Sequence, residues 1–112
     1  MPLPQIDPAH RDKPLTYDPS RNKFITFDEI VSGEEKIVPV DTLSDADVKK
    51  LVIERQLKGP DYTIRSISGE PLSRDAVVEA IEQDEPFGQV MVDAEKSYLQ
   101  DFLKEIAQNL NG

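Results

Sequence analysis

The 112-residue chain has no cysteine, no tryptophan and a single histidine. Without cysteine there is no disulfide framework, no thiol nucleophile and no cysteine-based zinc site. With His10 alone, histidine-rich metal sites are excluded by count. His10 also sits in a proline-rich stretch, whereas a catalytic base needs a rigid, partly buried setting. It reads as a solvated tail residue. Glycine is sparse. Gly33, Gly59, Gly69, Gly88 and Gly112 are isolated and fall at turns, and neither G-x-x-x-x-G-K-[ST] nor G-x-G-x-x-G occurs, which removes the phosphate loops.

Positive charge is also short. Thirteen Lys and Arg face 22 Asp and Glu, a formal net charge of -9. Phosphate-backbone binding needs clustered Lys and Arg. Lys49-Lys50 is the only adjacent basic pair, so direct nucleic-acid backbone binding is not expected. No apolar run approaches the ~20 residues that span a bilayer. Met1-Pro2-Leu3-Pro4-Gln5 lacks the basic and apolar regions of a signal peptide, and no lipidation signal is visible. A soluble, cytoplasmic protein without membrane contact and without a cofactor is expected.

What is present fits one domain, because two cores of half this length would each be marginal. Five of the nine prolines lie in residues 1–22. Proline fixes φ and biases the preceding residue away from helix. Residues 1–22 are therefore expected to be an extended or disordered arm, with Leu3, Ile6, Leu15 and Tyr17 as its only anchors. Residues 23–112 are expected to form a single α+β domain.

Within that domain, Phe24-Ile25-Thr26-Phe27 and Ile37-Val38-Pro39-Val40 are β-rich runs around a turn signal at Gly33, which predicts a hairpin, with a helical turn starting at Asp28-Glu29 as the alternative. Residues 61–67 predict a further strand. Three helices follow from capping and periodicity. Ser44 caps a helix over 44–58 that buries Val48, Leu51 and Val52 and stops at Gly59-Pro60,. Ser73 caps a short helix over about 74–83, with Val77, Val78, Ala80 and Ile81 apolar. Residues 89–109 carry the longest apolar stripe, broad enough to face a core. The expected fold is α+β: a small, mainly antiparallel sheet of about three strands, packed by three helices, with the C-terminal helix longest.

Carboxylates supply the remaining candidates. Asp41, Asp45 and Asp47 do not make an EF-hand, because Ala46 and Val52 occupy the glycine and glutamate positions,. Capping explains Asp45 and Asp47. A carboxylate-based, metal-dependent enzyme would have to use Asp84, Glu85 and Asp93. The acidity itself is uneven: residues 68–112 hold ten acids and three bases. That suits an acidic mimic that blocks a nucleic-acid-binding protein. The leading expectation is a non-enzymatic interaction protein, an adaptor, assembly or regulatory subunit. It would bind a protein partner or form a homo-oligomer through the C-terminal helix. Met91, Tyr98, Phe102, Ile106 and Leu110 would form the contact, with 102–110 overhanging a small sheet as exposed apolar surface.

Overall fold

Pro14-Leu15-Thr16-Tyr17-Asp18 alternates poorly between polar and apolar, and in the structure both of its faces are covered. The computed structural model describes residues 11–59, 62–65 and 69–111. Pro14–Asp18 is strand β1, and it pairs antiparallel with β2, Lys23–Thr26. Pro14 opens the strand, where a missing N–H costs least. Tyr17 faces Phe24 in the ladder, their ring centroids 4.9 Å apart. Asn22 closes the turn with φ 50°, and its side chain accepts the Tyr17 hydroxyl. Leu15, Thr16 and Tyr17 are all buried. The arm expected over residues 1–22 thus runs into the core by residue 14, and Leu15 and Tyr17 anchor it there. Leu3, Ile6 and His10 lie outside the described residues.

The expected hairpin around Gly33 is absent. Phe27–Val31 is helix α1 instead. Thr26 caps it in a reciprocal capping box with Glu29, a local signal that outweighs the β propensity of the preceding run. Ile37-Val38-Pro39 forms no strand and leads into a 3-10 turn, Val40–Thr42. The Thr16 hydroxyl donates to the Val38 carbonyl, so this segment meets β1 through a side chain and not through a ladder.

Helix α2, Asp45–Lys58, begins at Ser44, whose hydroxyl accepts the Asp47 N–H at 3.1 Å. It buries Val48, Leu51 and Val52 as its spacing requires, and also Arg55 and Gln56. Strands β3, Thr63–Arg65, and β4, Pro71–Ser73, form a second antiparallel pair. One expected three-stranded sheet is therefore two separate two-stranded ones. Helix α3, Arg74–Glu82, starts at Ser73, whose hydroxyl accepts the Ala76 N–H at 3.2 Å.

Helix α4, Pro86–Asn111, is the longest element and starts three residues earlier than the apolar stripe predicts. Proline suits a first helical position. The α3–α4 turn passes through Asp84, with φ 56°. It brings the helices so close that a Cβ on Gly88 would overlap the Ala80 carbonyl. The core joins β1, β2, α1 and α2 to Val77 and Ile81 of α3 and to Leu99, Phe102, Leu103 and Ile106 of α4.

Candidate functional site

Helix α4 sorts the five residues expected to meet a partner into two sets. Tyr98 is 48% exposed and Leu110 46%, whereas Phe102 is 9% and Ile106 0% exposed. Met91 is half-buried and packs against the core. The overhang expected over 102–110 is closed as far as Ile106 by elements that sequence reasoning missed, and Leu110 alone of its predicted contacts stays exposed. The Phe102 ring meets Phe27 of α1 edge-on at 6.2 Å, and the 3-10 turn packs on α4 through Val40. A buried Ile106 holds α4 in place and presents nothing outward. Sequence reasoning also missed Val90, the most exposed large apolar residue among the described residues at 64%. The five large apolar side chains left exposed among the described residues are Val31, Leu57, Val90, Tyr98 and Leu110, and three of them are on α4. The period of 3.6 places Val90, Ala94 and Tyr98, at i, i+4 and i+8, on one ridge.

Behind this ridge lies a buried polar junction. The Arg55 Nε donates to Glu95 Oε2 at 3.1 Å, and its Nη2 lies 3.1 Å from the same oxygen. Its Nη1 donates to the Pro14 carbonyl at 2.9 Å. The Gln56 amide donates to Glu95 Oε1 at 3.1 Å and accepts the Tyr62 hydroxyl. Both Glu95 oxygens are thus occupied, as a largely buried carboxylate requires,. The Arg55 guanidinium also lies 5.7 Å from the centre of the Tyr98 ring, within cation–π range. Burial pushes the Lys13 ammonium below its ordinary value, Arg55 adds to this and Glu95 opposes it. Burial, then the Glu95 charge, pushes the Tyr62 phenol up. The junction fixes β1, α2 and α4 together and holds Tyr98 in position.

On the opposite flank of α4 two hollows follow one another. Beside its N-terminal half is a cleft of about 530 Å³ against the start of α2, lined by Asp45, Lys49, Asp84, Asp93 and Lys96 among others. Lys49 donates to the Glu82 carbonyl at 3.1 Å and to Asp84 Oδ1 at 3.0 Å, and the Gln89 amide adds a 3.3 Å bond to that oxygen. Of the carboxylates considered for a cation, Asp84 and Asp93 share this cleft and Glu85 does not line it. Among the described residues no three His, Cys, Asp or Glu side chains come together as metal ligands would. Asp45 and Asp47 lie in the first turn of α2, where they suit the positive end of its dipole. Beside the C-terminal half of α4 is a groove of about 310 Å³ against Ile37, Pro39 and Val40.

Among the described residues no helix is long and apolar enough to cross a membrane. In comparisons with known proteins, no family model, no curated sequence and no solved structure matches this chain.

Proposed function

We propose that this chain is a non-enzymatic interaction protein acting in the cytoplasm, an adaptor, assembly or regulatory subunit that binds a protein partner through α4. The carrying observation is the exposure of Val90 and Tyr98 on one ridge, with Leu110 further along the helix. Val90 to Tyr98 spans ~12 Å at the α-helical rise, enough for the apolar anchors of a partner helix or loop. Phe102 and Ile106 support the ridge from within.

A photo-crosslinking residue at position 90 or 98 tests this in the source cells. The expected result is one discrete adduct from both positions, abolished by Tyr98→Ser in the protein labelled at 90. An adduct with a second copy would assign a homo-oligomer. Positions 31 and 57, also apolar and exposed but off α4, are the controls. Adducts no different from those controls would overturn the proposal.

A second reading, the acidic mimic of nucleic acid, draws on a separate observation. Residues 69–111 contain ten carboxylates, and of these ten only Asp84 and Glu95 have ion-pair partners among the described residues. A partner held through charge mimicry would be released by salt. A partner held on the apolar ridge would remain bound.

A further inference from the structure

The groove beside the C-terminal half of α4 points to a small-molecule site, independent of the ridge on the other flank. Its volume of about 310 Å³ falls within the range of ligand pockets. Its floor is apolar and built from buried side chains, Val40 and Leu103, with Ile37, Pro39 and Ala107 as walls. Three polar side chains line it: Asp41, Gln100 and Lys104. Asp41 and Lys104 carry opposite charges on one groove, yet neither side chain makes a hydrogen bond or ion pair with any other described residue. Shortage of acids does not explain the free Lys104, because it is one of three bases among ten acids in residues 69–111.

An apolar trough with one free carboxylate and one free ammonium selects a particular ligand. A simple carboxylic acid would satisfy Lys104 and be repelled by Asp41. A simple amine would do the reverse. A molecule bearing both charges beside an apolar tail satisfies both groups. We propose that the groove binds a free apolar α-amino acid. Its ammonium faces Asp41, its carboxylate faces Lys104 with the Gln100 amide as a further donor, and its side chain rests on Val40 and Leu103. A volume of about 310 Å³ takes a side chain of leucine or phenylalanine size.

Titrating the full-length, nitrogen-15-labelled protein with L-leucine tests this by NMR. A ligand of so few atoms is expected to bind with a dissociation constant of about 1 mM, with shifts confined to residues 37–41 and 100–107. N-acetyl-leucine lacks the ammonium and leucinamide lacks the carboxylate, and each should bind at least about tenfold more weakly. Asp41→Asn and Lys104→Gln, both at exposed positions that leave the fold intact, should each weaken leucine to a similar degree. Absence of saturable shifts at about 20 mM leucine, well above that constant, would overturn the proposal. So would equal binding of leucine and its two derivatives, or undiminished binding by both variants.

Discussion

In the first hairpin and α1 the carboxylates are held by cations from the same region. Arg21 bridges Asp18 and Glu35, Lys23 meets Glu29 at 2.7 Å, and Arg11 meets Asp28 at 3.1 Å. In α3, α4 and the turn between them the carboxylates mostly face solvent, and the two ion pairs they make, Lys49–Asp84 and Arg55–Glu95, both reach back to α2. The difference follows from element length. A five-residue helix such as α1 and a hairpin of short strands are marginal alone, so side-chain clips and a capping box matter there. Helix α4 has 26 residues and a buried stripe, and it needs no such clips. Apart from Asp84 and Glu95, acidity in the C-terminal region is therefore free of structural duty, which leaves it available to solvent or to a partner.

The sharpest break of this contrast is at the joint between the two regions. Arg55 touches Pro14 of the first and Glu95 of the second. Replacing it by Met strands a largely buried carboxylate. A loss of about 3–5 kcal/mol in urea denaturation is expected, the usual cost of breaking a buried pair from one side. The double variant R55M/E95L should regain most of that loss. A cost below about 1 kcal/mol, in the range of a surface pair, would show that the junction does not join the regions.

The next effect isolates packing from charge. Gly→Ala inside a helix ordinarily gains about 1 kcal/mol. At Gly88 the sign reverses, because the new Cβ meets the Ala80 backbone. Gly88→Ala should cost about 1–3 kcal/mol, as overpacking does. A stabilised variant would mean that α3 and α4 separate easily.

What could be read in advance follows the same division. Helices α2, α3 and α4 are self-announcing, because Ser44 and Ser73 cap the first two and the apolar residues of all three recur at helical spacing. Residues 14–42 are not, because their structure depends on contacts made at a distance. Leu15 and Tyr17 stand among prolines, and only the core they enter makes β1 a strand. The acidic pair Asp28-Glu29 hints at a helical turn, but the β-rich run around it favours a hairpin, and only the capping box from Thr26 to Glu29 decides for α1. On the candidate surface, Tyr98 and Leu110 were legible from periodicity. Phe102 and Ile106 follow the same periodicity and are buried, because Phe27 and Val40 arrive from α1 and the 3-10 turn. Arg55 and Glu95 lie 40 residues apart, and no local pattern links them.

Capping separates the regions at a smaller scale. Thr26→Ala and Ser73→Ala should each cost about 1 kcal/mol. Hydrogen exchange should distinguish them. Amides of α1 should lose more protection in Thr26→Ala than the global loss accounts for, because that helix has little else to hold it. Amides of α3 should follow global stability in Ser73→Ala, because Val77 and Ile81 still anchor it in the core. Equal, purely global losses would remove the distinction between clipped and packed elements.

The smallest effect tests the charges themselves. Hydrogen bonds from Ser20, then Arg21, lower the Asp18 carboxyl from the ordinary 3.8 to about 2. Arg21 lowers Glu35, and Lys23 with the Thr26 backbone lowers Glu29. A carboxylate held lower in the folded state binds fewer protons than when unfolded. Its contribution is present above about pH 4 and is lost as pH falls toward the folded value. The urea midpoint should therefore drop on acidification from about pH 4 to about pH 2, and Asp18→Asn with Glu35→Gln should flatten that drop while lowering the midpoint at pH 7. Glu79→Gln with Glu82→Gln, on exposed and unpaired positions of α3, should leave the acid limb unchanged and shift stability at pH 7 by no more than about 0.5 kcal/mol. The two double variants differ in whether folding uses the charge. If the α3 pair steepened or flattened the acid limb as much as the hairpin pair does, the C-terminal acids would be structural after all.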